Sequence, residues 1–308
     1  MMLGLSTHWN AFRHASGETL IEEILTLGFN RVELGYDLRL DLVDGVRRMV
    51  DQKAVTVTSV HNFCPVPLGA SQGHPELFTL ANPDARIRAA AVRHTERTIV
   101  FAAEIGAKAV VMHGGNIRLW WNRGSRLLKL AAAGKRHTPR YERIKTGLMT
   151  ARAAKAAVYL DYLRDGITQL LPKLEEYKIR LALENLPSWE SVPTEPEAEQ
   201  FFQQMNSPWL AYWHDTGHGQ IRENLGFTAH LHWIEKLTPW LAGMHVHDVA
   251  TPFNDHLPPL KGTVDFGAMK PFIKPGMPLI LEPHPGVPAE AVQEGAAQLE
   301  KIWIPPPP

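Results

Sequence analysis

Residues 209–215 read WLAYWHD, 241–247 read LAGMHVH and 278–283 read PLILEP. Each is a short apolar run that closes on an acid or a histidine. Runs of this length, bounded by turn residues, fit strands buried on both faces. Working outward, the same form recurs at 2–7 (MLGLST), 30–35 (NRVELG), 55–61 (VTVTSVH), 108–113 (KAVVMH) and 180–184 (RLALE). Segments of helical period separate them, at 17–27, 39–52, 84–106, 151–177, 194–205, 226–239, 265–273 and 288–302. Ser16 and Thr194 stand where helix caps are wanted. Strands and helices in strict alternation predict an α/β fold, and eight of each predict a (β/α)8 TIM barrel. The barrel is expected to occupy residues 1–304 as one domain, followed by a proline tail at 305–308.

Two long inserts break the rhythm. One, about 62–83, follows the third strand and is rich in Pro and Gly. The other, about 114–154, follows the fourth; it carries seven Arg and three Lys against a single acid, Glu142. Both leave from C-terminal strand ends, the face on which barrel enzymes build their sites.

Bulk composition narrows the function classes. The chain has 308 residues, 44% of them hydrophobic, with 32 basic and 32 acidic side chains. That balance gives no global field toward nucleic acid or anionic membrane. One cysteine, Cys64, rules out an internal disulfide and suggests a reducing, cytoplasmic location. No apolar run approaches the ~20 residues of a membrane helix, and the polar residues of 7–13 do not read as a secretory leader.

The side chains that close the strands carry the chemistry. The third strand ends in His61, the fourth in His113, the fifth in Glu184 and the sixth in Asp215; the seventh carries His245 and His247, and the eighth Glu282. Strand alternation puts Ala182, Trp213, Gly243 and Ile280 one layer below Glu184, Asp215, His245 and Glu282. Three carboxylates converging at a barrel mouth repel one another unless a cation joins them. Mixed oxygen and nitrogen donors suit a hard or borderline divalent ion, Mn2+ first, with Zn2+, Co2+ or Mg2+ as alternatives.

The motifs ALEN (182–185), HDTGH (214–218), MHVHD (244–248), NDHLPPLKGTVDF (254–266) and LILEP (279–283) resemble the sugar phosphate isomerase/epimerase superfamily. This is the xylose isomerase-like TIM-barrel group, which includes endonuclease IV. The resemblance implies a metal held by Glu184, Asp215, His245 and Glu282, with Glu184 and Glu282 also acting as the catalytic acid–base pair. His245 is chosen over His247 because the family's ligand precedes an acid by three positions, here Asp248. His218, His113, His61, His256, Asn254 and His247 are the expected substrate contacts, with His218 in the loop after Asp215. The implied activity is isomerisation or epimerisation of a sugar, keto-sugar or sugar phosphate through an enediolate, in a homo-oligomer.

Three other readings compete. A lyase or dehydratase acting on a keto-polyol would share the enolising start. An endonuclease IV-like phosphodiesterase would need three metals, and Asn254 stands where that relative has an aspartate. A binding module would keep the metal without turnover. In the basic insert, Trp120, Trp121 and Tyr141 could stack on bases or sugars, and one or two arginines could hold a substrate phosphate. The neutral net charge weighs against a dedicated DNA partner. Glu33 is expected inside the barrel, as a substrate contact or as a partner for an arginine. His214 is expected to be structural, and His230 and His232 to lie at the surface or in packing.

Overall fold

The strands close because their apolar runs can be covered on both faces at once. In a computed structural model describing residues 3–120 and 123–303, eight parallel strands form a barrel in the order β1-β10-β7-β6-β5-β4-β3-β2. They are β1 (Gly4–Ser6), β2 (Arg31–Leu34), β3 (Thr56–His61), β4 (Ala109–Met112), β5 (Arg180–Glu184), β6 (Leu210–Asp215), β7 (Leu241–Val246) and β10 (Leu279–Leu281). A hairpin absent from the sequence reading, β8 (Asp248–Ala250) with β9 (Asn254–Leu257), rises from the end of β7. Its strands are too short and too polar to show a period. The expectations for Trp121 and for the 305–308 tail lie outside the described residues.

Inside the barrel, Ala109, Val111, Ala182, Ala211, Trp213, Ala242 and Ile280 form a dry plug. The small residues make room for the Trp213 indole, which occupies the space where a Cβ on Gly243 would stand. A much larger core lies between strands and helices. The helices are α1 (Gly17–Thr26), α2 (Leu40–Asp51), α3 (Ala85–Glu104), α4 (Arg123–Ala132), α5 (Pro139–Tyr177), α6 (Glu195–Met205), α7 (Thr216–Asn224), α8 (His230–Leu237), α9 (Phe266–Met269) and α10 (Ala289–Trp303).

The basic insert is mostly helical rather than a loop. The helix expected at 151–177 starts at Pro139, where Thr138 caps it by accepting from the Tyr141 amide at 3.3 Å. Its buried positions Tyr141, Leu148, Ala156, Tyr159, Leu163 and Ile167 keep one face throughout, a stripe that the surrounding charges hid. With α4 and α7 this segment makes a separate small core of Leu127, Ala131, Tyr141, Leu148, Ile221 and Leu225. The helix expected at 226–239 is the shorter α8, and a helix absent from the sequence reading, α7, precedes it and ends before Gly226, whose φ of +74° lies in the left-handed region.

A candidate metal centre at the barrel mouth

The strands deliver their terminal side chains to one point. Ligand atoms of Glu184, Asp215, His245 and Glu282 all lie within 4.8 Å of one another, and all four residues are buried. β5, β6 and β7 place the first three in neighbouring register, since Glu184 pairs with Trp213 and Asp215 with His245. Glu282 follows β10 directly, where Ile280 pairs with His245.

Second contacts fix each of these side chains. The Asp215 carboxylate caps α7, accepting from the His218 amide at 2.6 Å. Asn185 grips the Asp215 backbone from both sides: its Oδ1 accepts the Asp215 amide at 2.8 Å, and its Nδ2 donates to the Asp215 carbonyl at 3.0 Å. His245 Nε2 meets Glu33 Oε1 at 2.8 Å, and the other Glu33 oxygen accepts from Ser59 Oγ at 2.7 Å. The remaining nitrogen, His245 Nδ1, is buried and has no hydrogen-bond partner. It faces Glu282 Oε2 at 3.3 Å, Glu184 Oε1 at 3.4 Å and Asp215 Oδ2 at 3.9 Å. A lone imidazole nitrogen amid three carboxylates could hold a divalent cation, and Glu33 stands where a carboxylate would orient such a ligand from behind.

Charge is balanced around this point by histidines. Burial alone would raise the carboxyl pKa values, yet Glu184 is held well below its usual range by His245 and His113, while Glu282 is lowered by His245 and His256, and Asp215 by His218 and His247. In return His113 and His218 are pushed up to about 9 despite their burial, His113 first by Glu184 and His218 first by Asp215. The field at the barrel mouth thus favours positive charge.

The residues expected to touch substrate divide into groups. His61 and His113 place Nε2 atoms 3.3 Å from Glu184 Oε2, beside the four-residue cluster. His218 lies in the first turn of α7 rather than in a loop, with Nδ1 3.0 Å from the Asn185 carbonyl. His247 turns its Nε2 to Asp215 at 3.0 Å while its Nδ1 accepts the His256 amide at 2.9 Å. His256 stacks on His247 with ring centroids 4.1 Å apart. Asn254 is exposed at the start of β9.

Glu33 partners His245 instead of an arginine. The insert's buried arginine is not free for a phosphate either: Arg152 is spent on Glu197 at 2.6 Å and the Ser191 carbonyl at 2.7 Å. His214 binds Tyr212 Oη at 2.8 Å and His230 at 3.0 Å, and His230 is buried with it. The sequence reading missed His8, Tyr36 and Asp37. Tyr36 Oη meets His8 Nε2 at 3.2 Å, His8 Nδ1 meets Asp37 at 2.9 Å, and the Tyr36 ring stands edge-on to His61 at 5.2 Å. Their signal was their place just beyond the first two strands. Glu76, from the first insert, approaches His113 Nδ1 at 3.6 Å.

A sequence model described as a xylose isomerase-like TIM barrel matches residues 21–302. No curated protein matches by sequence. Among solved structures, a D-tagatose 3-epimerase-like protein superposes with a TM-score of 0.70 at 18% identity, over 98% of this chain and 97% of that one. The 3-keto-D-glucoside 4-epimerase of E. coli gives 0.69 at 15% identity, over 97% and 99%. The IOLI protein, with a zinc atom bound, gives 0.65 at 12% identity, over 98% of both chains.

Proposed function

Because the chain belongs to the xylose isomerase-like TIM-barrel family, we propose that it is a divalent-metal-dependent epimerase or isomerase of a carbohydrate. The observation that carries this is the unpartnered His245 Nδ1, buried among Glu184, Asp215 and Glu282. Those four residues would hold the cation, with Mn2+ the first choice. When bound, it supplies Lewis-acid stabilisation of the negative charge that grows on a substrate oxygen as a neighbouring C–H bond ionises. That one of the similar structures is named a 3-keto-D-glucoside 4-epimerase and another a D-tagatose 3-epimerase-like protein supports the reading.

The protein's own groups handle the proton. Glu184 turns Oε1 toward His245 and His218 and leaves Oε2 toward His61 and His113. Its Oε2 takes the proton from the carbon acid, because its neighbours keep it ionised at neutral pH. Glu282, reached from the far side of the barrel, returns a proton to the opposite face of the planar intermediate. His61 and His113 donate to substrate hydroxyls and hold the sugar ring, and His218 follows its charge. The same reading places the protein in the cytoplasm as a homo-oligomer.

Elemental analysis after supplying Mn2+ and Zn2+ should find about one ion per chain in this reading. Solvent deuterium should enter the substrate at one carbon, and Glu184→Gln should abolish that exchange while the sugar still binds. Exchange at the wild-type rate in Glu184→Gln would remove Glu184 from the role of base.

A further inference from the structure

A cavity of about 330 Å³ opens beside the metal centre, between the small core of the basic insert and the β8–β9 hairpin. Its walls are apolar: Leu128 from α4, Leu148 from α5, Ile221 from α7, and three half-buried aromatics, Trp189, Phe227 and Phe253. Trp189 and Phe227 stack at 4.7 Å, nearly parallel. The volume falls in the range of small-ligand pockets, and a mostly apolar lining with few polar groups is their usual make-up.

Asp255 links the cavity wall to the histidines of the candidate site. That residue lines the cavity, and its Oδ1 lies 3.3 Å from Nδ1 of His256, the ring stacked on His247. Charge at the cavity is acidic, since Glu190 and Asp255 line it and no Lys or Arg does among the described residues. The two buried arginines, Arg222 and Arg152, turn their terminal nitrogens to other partners. Arg222 is held by Glu195, by the Ser188 carbonyl at 2.8 Å and by Ser191 Oγ, and Arg152 by Glu197 and the Ser191 carbonyl. Among the described residues no Lys or Arg lines the walls to hold a phosphate, and the aromatic faces offer mainly apolar contact.

From these observations we infer that the cavity receives an apolar, ring-sized substituent of an unphosphorylated keto-glycoside whose sugar is held at Glu184, Asp215, His245 and Glu282. The inference rests on the carbohydrate reading above for the sugar half alone; the cavity half stands on its walls. Substrate choice then lies in the insert helices α4 and α5, while the chemistry lies in the barrel strands.

The test uses the full-length, Mn2+-loaded protein and calorimetric titration with matched pairs of 4-nitrophenyl and methyl keto-glycosides of several sugars. The aryl member of at least one pair should bind about tenfold tighter or better, as burial of a ring in an apolar pocket requires. Leu128→Trp, which fills the cavity from α4, should erase that preference and leave methyl-glycoside affinity unchanged. Phe227→Ala, which removes one wall, should weaken the aryl ligands if the tryptophan variant does not fold. Equal affinity within every pair, no binding of any aryl glycoside, a preference that survives Leu128→Trp, or tighter binding of a sugar phosphate would each overturn the inference. Deuterium exchange into free sugars without any aryl preference would discard the cavity and keep the epimerase. Aryl binding lost in Leu128→Trp, with no exchange into any sugar, would keep the cavity and discard the epimerase.

Discussion

At the scale of single residues, the centre depends on what stands behind its ligands. Glu33 is fully buried, and its two oxygens are committed to His245 and Ser59. With a cation bound, this would hold one tautomer, with the proton on Nε2 toward Glu33 and the lone pair of Nδ1 left for the metal. Glu33→Gln keeps the shape but can present an amide N–H where His245 needs an acceptor. Metal affinity should fall by roughly 10- to 100-fold, the usual effect of losing such a partner. Competition with a metal-sensitive dye measures it, and an unchanged affinity would reduce Glu33 to a packing residue. Ser59→Ala removes only one hydrogen bond from Glu33 and should have the smaller effect.

Histidine 230 gives a second residue-scale expectation. Burial pushes its pKa down to about 4, against a small opposing pull from Asp215. In the unfolded chain the imidazole titrates near 6.5. Between those values the unfolded chain binds a proton that the fold refuses, so stability is whole above pH 6.5 and declines as pH falls toward 4. Full titration amounts to about 3 kcal/mol. Chemical denaturation of wild type and His230→Gln at pH 7 and pH 4.5 should show the variant losing less stability on acidification. Parallel losses would mean that His230 is not the group responsible.

At the scale of elements, α7 is the piece that brings the second set of histidines to the first. Asp215 ends β6 and caps α7 in the same stroke, so the strand and the helix share one residue. Two residues on, Gly217 presses against the His247 ring so closely that a Cβ would overlap it. Gly217→Ala should therefore displace His247 from Asp215 even though alanine favours the helix. The expected result is a protein that melts near the wild-type temperature yet holds metal more weakly. A drop in melting temperature with metal affinity intact would show that the strain is relieved elsewhere. The insert helices answer to a different logic. α4 and the first turns of α5 pack on α7 with a core of their own, so changes there should alter which substrates bind before they alter barrel stability.

At the scale of the whole molecule, the barrel gathers Glu184, Asp215 and Glu282 in a buried mouth, where the charge on His245 offsets them. A bound cation would take over that task, and it would stabilise the fold by mass action. At a hundredfold excess over its Kd this amounts to about 2.7 kcal/mol. Dialysis against a chelator should lower the melting temperature by several degrees, and Mn2+ should restore it. The Glu282→Gln variant should show a smaller difference between its metal-loaded and metal-free forms. If the wild type melted identically in both forms, the cluster would not be a metal site.

Much of this protein was open to reading along the chain. Strands buried on both faces announce themselves as short apolar runs, and eight of them alternating with helices leave few topologies other than a closed parallel barrel. Because side chains alternate across a strand, the residue that closes each run could be placed at the mouth without any structure, and Glu184, Asp215, His245 and Glu282 do lie together there. Other features depended on contacts between segments distant in sequence. Glu33 meets His245 across 212 positions, a pairing no local pattern encodes. The glycine-containing stretch TGHGQIREN reads as a loop, but the Asp215 cap and burial of Ile221 make it a helix. The charges of the basic insert concealed an apolar stripe that shows only once α7 supplies a surface for it. Period and composition marked the eight barrel strands and most of the helices between them, because those patterns are set by near neighbours. Which arginine is spent on which glutamate, and where a cavity opens, are set by packing between segments, and packing exists only in the folded chain.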